Sequence, residues 1–234
     1  MRNRVVVLGS GRLAKEFVSQ KPSWSWVSRK FEGINFNKTN WYWRINDCST
    51  VVNCIANTGT YDKERTDHWQ TNYVGVMNLV DWCNSTNQKL VHISTDYIYA
   101  GSKENATEND IPMPNKTWYA HTKMLGDAYV QARCNNYLLI RTSFKERPWK
   151  FDNAITTQVG NFDYIDVIAG LIIRLIDNKA EGLFNVGHSE PWNLYEMAIQ
   201  TKPEVRESFN VLNKLMPRNT TMSVKKMEDF LNDC

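Results

Sequence analysis

In the stretch TWYAHTKMLGD, Thr117 to Asp127, a phenol stands four residues ahead of an ammonium. One helical turn takes about 3.6 residues, so in a helix Tyr119 and Lys123 share a face, one above the other. The pair suits a specific chemistry. Reducing a ketone requires a hydride on carbon and a proton for the oxygen that becomes an alkoxide. A free tyrosine, with a pKa of about 10, holds its proton too tightly to shuttle it well near neutrality. A neighbouring ammonium favours the phenolate, so Lys123 is expected to lower the pKa of Tyr119. An aromatic ring packed beside a lysine stem has the same spacing, and the surrounding sequence must decide between the two.

A second group of polar residues follows the apolar run KLVHI. HISTDYIYAG places Ser94, Thr95 and Asp96 at the carboxyl end of a buried strand, the edge where doubly wound sheets bind ligands. Thr95 and Tyr119 are 24 residues apart (119 − 95). That length suffices for a loop and the first turns of a helix to fold back over the strand end. A hydroxyl, a phenol and an ammonium would then meet at one carbonyl group.

A third signal opens the chain, where RVVVLGS gives way to RLAKEFVSQ. The residues Gly9, Ser10, Gly11, Arg12, Leu13 and Ala14 spell GxGxxA at this strand–helix junction. Gly9 permits the tight turn, Gly11 lets a pyrophosphate approach the backbone, and Ala14 lets the helix approach the sheet. Free amides and the helix dipole would attract the anion. About 20 residues on, a protein preferring NAD carries a carboxylate for the ribose hydroxyls. Here Ser28 is followed by Arg29 and Lys30, cations that suit a 2′-phosphate and predict NADP(H), with NAD(H) as the alternative.

These signals need a frame to hold them. RVVVLGS, TVVNCIA, KLVHIST and YLLIRTS read as buried strands, with SWVSR and GINF as weaker ones. Helical patterns alternate with them, including a long one from about Asp67 to Asn84 and the one that carries Tyr119. Strict alternation of buried strands and helices predicts an α/β parallel, doubly wound sheet. Past Ser143 the rhythm changes: SFKERPWKFDN is loop-like, YIDVIAGLIIRLIDN helical and GLFNVG a short strand. We expect a nucleotide-binding part over residues 1–143 and a smaller substrate-binding part over residues 144–234, interleaved with the first.

Composition excludes several roles. The chain has 234 residues, 42% of them hydrophobic, and a net charge of +3. The charge is too small, and its Lys/Arg too dispersed, to imply nucleic acid. No apolar run is long enough to span a bilayer, and MRNRVVVLGSGR enters a strand pattern rather than a signal peptide. Five scattered cysteines predict neither disulfides nor a metal site, and a cytoplasmic setting follows. The nine tryptophans are expected to pack; those in WSWVS and WYWR alternate as they would in strands.

GxGxxA, STDYIYAG and YAHTK, in that order, resemble the extended short-chain dehydrogenase/reductase superfamily, and within it the dTDP-4-dehydrorhamnose reductase family. Nucleotide-sugar 4,6-dehydratases place a glutamate where Tyr97 stands. VVNCIANTGTYDKERTDHWQTNYVGVMNLVDWC resembles the family's strand, loop and helix, with Asn72 in its N-x-x-G. MPRNTTMSVKKM resembles its closing motif, and GNFDYIDV its lead into a helix, with Tyr164 and Asp166 closing the architecture. The resemblance implies a Rossmann-type fold with a small, partly helical C-terminal substrate region. It implies NADPH-dependent reduction of a nucleotide-linked 4-keto-6-deoxy sugar; it is compatible with a homodimer and leaves the oligomeric state open. Thr95, Tyr119 and Lys123 would be catalytic, with Thr95 polarising the carbonyl and Lys123 also binding the nicotinamide ribose. Cofactor contacts would come from the glycine turn, Arg29, Lys30, Ala56, Asn57 and Asn72, and substrate contacts from Asp96 and Tyr97.

The sequence also departs from the family. The glycine turn is one residue shorter, Asn37 replaces a carboxylate near the third strand but could still bond the adenine edge of the cofactor, and residues 144–159 are abbreviated. There Arg147, Trp149 and Lys150 could supply cations and a stacking surface for the nucleotide diphosphate. Two alternatives stay open: an epimerase with retained NAD, and a non-catalytic NADP-binding subunit resembling the regulatory partner of methionine adenosyltransferase.

Overall fold

The apolar runs become neighbouring strands in the computed structural model, which describes residues 4–210 and 213–234. They are β1 (Val5–Leu8), β2 (Ser25–Val27), β3 (Thr50–Asn53), β4 (Lys89–Ile93), β5 (Tyr137–Thr142) and β6 (Gly182–Val186). Their order across the sheet is β6-β5-β4-β3-β1-β2, and every neighbouring pair is parallel. Successive side chains of a strand point to opposite faces, so a sheet covered on both faces must be apolar at nearly every position. Val6, Leu8, Val51, Leu90 and Leu139 enter one core, while Val7, Val52, Val91, Leu138 and Ile140 enter the other.

Helices cover both cores. Residues of α2 (Gly75–Thr86) and α3 (Trp118–Arg133) join the first, and residues of α1 (Arg12–Gln20), α4 (Ile165–Asp177) and α5 (Lys225–Asn232) join the second. The chain leaves β1 for β2 on one side and reaches β3 on the other. The carboxyl ends of β1 and β3 therefore open a crevice at the switch in strand order. Residues beyond Ser143 complete this frame, because β6 extends the sheet beside β5 and α4 packs on α1. The rest of the C-terminal part gathers around Trp149, Ile155, Phe162, Tyr164 and Leu194 as a separate apolar cluster.

One expected strand is absent, and the WYWR stretch packs without the alternation of a strand. GINF is a loop, although Ile34 and Phe36 are buried alternately, as in a strand. Both belong to the core that α2 covers, and the Phe36 ring fills the space over Gly75, where a Cβ would come within 2.6 Å. Burial by packing on a helix has the same period as burial in a sheet edge, and this segment does the former. WYWR is a 3₁₀ turn over Tyr42–Ile45. Trp41, Tyr42 and Ile45 turn inward while Trp43 faces solvent, a helical spacing rather than an alternating one. Among the described residues, no helix is long and apolar enough to cross a membrane.

Candidate active site

The glycine turn closes the crevice at the end of β1. Gly9 has φ +112°, a left-handed region that side chains disfavour. A Cβ there would also press to 3.3 Å from Cys54 and Ile55, just past β3. Gly11 is the N-cap of α1 and has no side-chain cap, so among the described residues no side chain caps the first-turn amides. A Cβ on Gly11 would meet no protein atom within 4 Å, so packing within the chain does not require glycine there. Close approach of a phosphate does. Ser10 is half-buried at this turn, and Arg12 is exposed and pairs with Glu146 at 3.2 Å. The Leu13 side chain is buried in the core, so only its backbone can serve a ligand. Ser28 is buried and caps the short helix Arg29–Glu32 by accepting the Phe31 amide at 3.3 Å. The cap leaves Arg29 and Lys30 exposed just beyond the end of β2, without an ion pair among the described residues.

At the end of β4, Thr95 and Asp96 are buried. The Thr95 hydroxyl accepts the Tyr97 amide at 3.3 Å and donates to Asp96 Oδ1 at 3.3 Å. It also stands in polar contact with the Tyr119 phenol. Tyr119 rides on the first turn of α3, set by Thr117, whose hydroxyl accepts the Ala120 amide.

The electrostatics differ from the expectation that Lys123 lowers the Tyr119 pKa. Burial pushes the phenol up to about 12; the Thr95 contact opposes the rise, and the Asp96 and Asp127 carboxylates add to it. Lys123 itself is 1% exposed. Its ammonium donates to the Ile93 carbonyl at 2.7 Å and meets His92 Nε2 at 3.3 Å. Burial depresses its pKa to about 8 against the pull of Asp127 and Cys54. The lysine is held toward the sheet, and desolvation, the larger effect here, decides the state of the phenol.

Behind Lys123 lies a buried network that sequence reasoning missed. Asp127 holds Arg141 Nε at 3.3 Å and stands 3.9 Å from His92 Nε2. Arg141 donates to the Tyr99 hydroxyl at 2.5 Å, and His92 Nδ1 meets Asn53 Nδ2 at 3.1 Å. Burial and the Lys123 charge keep His92 well below its ordinary pKa, hence neutral. One signal for this network was present: Asp127 follows Lys123 by four residues on the same helix face. Nothing in the sequence alone linked Arg141 or His92 to it.

Asn72 is spent within the protein rather than offered to a ligand. Its side chain accepts the Asn57 amide at 2.8 Å and donates to the Asn57 carbonyl at 3.0 Å and to Thr122 at 3.2 Å. It thereby ties the loop after β3, with Ala56 and Asn57 half-buried in it, to the helix of Tyr119. Asn72 sits in a π turn, Trp69–Val74, that interrupts the long helix leading into α2; such turns are frequent at functional sites. The two helices touch at Gly126, where a Cβ would fall 2.6 Å from the Asn72 carbonyl oxygen. Gly126→Ala is expected to lower stability by about 1–3 kcal/mol through overpacking. Thermal unfolding checks this, and the same displacement of Tyr119 should slow any turnover.

Other expected site residues have different surroundings. Asn37 is exposed in a turn, its amide bound to Asn35 Oδ1 at 3.0 Å. Trp149 is 8% exposed and belongs to the C-terminal apolar cluster, so its ring packs instead of offering a stacking face. Arg147 pairs with Asp166 at 3.0 Å and stacks on Tyr164 at 4.2 Å, closing the loop onto α4. Lys150 pairs with Glu146. Tyr97 shares a hydrogen bond of 2.9 Å with Tyr61, and its ring lies edge-on to Tyr119 at 6.0 Å. His121, next to the pair in sequence, is exposed and turns back on the Thr117 carbonyl.

A parallel sheet with a glycine turn at its switch point and a threonine, tyrosine and lysine at its carboxyl edge defines the extended short-chain dehydrogenase/reductase class. The chain belongs to the RmlD substrate binding domain family, whose model matches residues 9–169. It is 27% identical over 165 residues to the spore coat polysaccharide biosynthesis protein SpsK of Bacillus subtilis, covering 63% of this chain and 58% of the relative. It is 25% identical over 172 residues to a dTDP-4-dehydrorhamnose reductase of Mycolicibacterium smegmatis, covering 64% and 52%. The matched region thus spans little more than half the length of these curated relatives. Its fold is that of a dTDP-4-dehydrorhamnose reductase from Bacillus anthracis in complex with NADP (TM-score 0.81, 20% identity, 100% and 98% coverage). A Clostridium acetobutylicum dTDP-4-dehydrorhamnose reductase is equally similar (TM-score 0.81, 21% identity, 96% and 91% coverage).

Proposed function

We propose that this protein reduces the keto group of a nucleotide-linked 4-keto-6-deoxy sugar with NADPH. The observation that carries the reading is the gathering of Thr95, Tyr119 and Lys123 at the sheet edge beside the glycine turn. Gly9 packs against Cys54, and Cys54 in turn feels the charge of Lys123. The name of the Mycolicibacterium smegmatis relative and the NADP complex of the Bacillus anthracis protein support the same substrate class and cofactor.

The residues fit NADP. The open space over Gly11, the α1 N-terminus without a side-chain cap, and Arg29 and Lys30, which make no ion pair among the described residues, suit pyrophosphate and 2′-phosphate. When bound, the cofactor supplies hydride. The protein's own groups do the rest. Thr95 polarises the carbonyl, and Tyr119, still protonated at neutral pH, gives its proton to the alkoxide. A phenol with a pKa of about 12 remains a far stronger acid than the alcohol formed, so the transfer runs downhill. The buried ammonium of Lys123 offsets the negative charge that passes through the site.

Two measurements test this reading. Loss of NADPH absorbance with a 4-keto-6-deoxy sugar nucleotide is the expected outcome. NADPH binding without turnover on any such substrate would establish the regulatory-subunit reading, which the internal use of Arg147 and Trp149 favours. Second, Arg29→Ala/Lys30→Ala should weaken NADPH binding by roughly 10- to 100-fold, the worth of lost charge-assisted contacts. NADH binding should hardly change. An equal effect on both cofactors would remove the assignment of these cations to the 2′-phosphate and reopen the NAD-retaining epimerase.

A further inference from the structure

A reductase that donates a phenolic proton must recover it before the next turnover, and the tyrosinate left behind is a poor anion to store here. It would lie half-buried beside two carboxylates, Asp96 and Asp127, both of which already raise the Tyr119 pKa. The group best placed to reload it is Asp96. This residue is 2% exposed and bonded at both carboxyl oxygens. Oδ1 takes the Thr95 hydroxyl at 3.3 Å, and Oδ2 takes the Thr220 hydroxyl at 2.6 Å. The Thr95 hydroxyl is bonded to the Asp96 carboxyl and lies on the side of the Tyr119 phenol, whose acidity it raises.

We propose that Asp96 returns a proton to Tyr119 through the Thr95 hydroxyl after each reduction, a role that rests on the reductase reading above. The alkoxide takes the proton from Tyr119 Oη. Tyr119 Oη takes the Thr95 hydroxyl proton, and Thr95 Oγ1 takes the proton of the Asp96 carboxyl. Three O–H bonds break and three form, and no electrons move in the relay. Asp96 is left as the carboxylate and regains a proton from water. In that carboxylate state Thr95 donates to Oδ1, the polarity seen in the structure; protonation of Oδ1 reverses it.

The surroundings tune Asp96 for this work. Burial raises its pKa to about 6, against the Thr220 bond, the Lys145 charge and the Thr95 bond. An ordinary aspartic acid is almost wholly ionised near neutrality, whereas this carboxyl keeps a usable protonated fraction. The groups that face it come from five places: Thr95 and Tyr97 on its own segment, Tyr119 on α3, Lys145 on the Phe144–Lys145 strand, Thr220 on the Asn219–Thr220 strand, and Tyr61 in the loop after β3. Lys145 is half-buried, its ammonium lies 5.7 Å from the Phe162 ring centroid, and it makes no ion pair among the described residues. Its charge acts on Asp96 and is acted on by Arg12 at the glycine turn. Thr220 and Lys145 both lie beyond Ser143, so the C-terminal part sets the acidity of a group on β4's edge.

Asp96→Asn keeps the acceptor for Thr95 and its shape but cannot release a proton. Steady-state kcat of this variant should fall about tenfold or more beyond any change in its single-turnover hydride-transfer rate, within the range of a lost proton-transfer group. The wild-type rise in kcat as pH drops through about 6 should vanish. Lys145→Met should move that pH dependence upward in the protein that keeps Asp96. An NMR titration of the Asp96 carboxyl, read without substrate, should show the same upward move. A wild type that turns over while Asp96→Asn shows equal losses in both rates, or none, with its pH profile intact, overturns the relay alone. A wild type that binds NADPH but reduces no keto-sugar nucleotide overturns the reductase reading and the relay with it.

Discussion

Tyr119→Phe is expected to lower kcat/KM for ketone reduction by roughly 10²- to 10⁴-fold, the usual loss when a general acid is removed. The change deletes one hydroxyl and keeps the ring, so its edge-on contacts with Tyr97 and His68 survive. NADPH affinity should therefore stay within a few-fold of wild type, since kcat and not ground-state binding depends on the proton. Equilibrium titration of NADPH beside initial rates separates the two quantities. A Tyr119→Phe variant that reduces at the wild-type rate would remove Tyr119 from the chemistry, and the proton would have to come from elsewhere.

The largest stability effect should come from Asp127→Ala. The carboxylate is 1% exposed and is the ion-pair partner of Arg141, itself 2% exposed; it also supports the charge of Lys123. Removing it leaves buried cations uncompensated, a change that costs about 3–5 kcal/mol in comparable networks. For a chain of this size the melting temperature should fall by roughly 10 °C. The deficit should depend on pH with a definite sign. The Lys123 pKa is already depressed below its ordinary value, to about 8, and losing Asp127 depresses it further. The folded variant then binds fewer protons than the unfolded chain over a wider range, so its stability rises with pH through that range. Melting curves should show a smaller deficit above pH 8 than below it. A deficit independent of pH would mean that Arg141 alone, always charged, accounts for the loss.

Much of this site was legible because its signals are local. GxGxxA sits on a strand–helix junction, STDY on a strand end, and Tyr119 and Lys123 one helical turn apart. Each of these relations is fixed by backbone periodicity within a dozen residues. Arg29 and Lys30 followed from a count along one strand–helix–strand unit. The misreadings arose where the deciding contact was distant. GINF has a strand's alternation, but the partner that buries it is a helix about 40 residues further along. Trp149 and Arg147 have the chemistry of a nucleotide platform, and only the C-terminal cluster and Asp166 reveal that they are used internally. The hydrogen bonds by which the Asn72 amide ties Asn57 to Thr122 were likewise not legible, since they join segments distant in the chain.

The sequence by itself determined the alternating α/β order, the parallel sheet, the glycine turn at the first strand–helix junction and the one-turn spacing of Tyr119 and Lys123. These depend on hydrophobic period, glycine conformation and helical spacing, all properties of neighbouring residues. Tertiary structure alone decided the protonation states. Whether an ammonium lowers a phenol or burial raises it depends on the distance and solvation of groups from β3, β4, α3, β5 and the C-terminal strands. Desolvation has no sequence period, so the acidity of Tyr119, Lys123 and Asp96 became readable only once those segments were packed around one another.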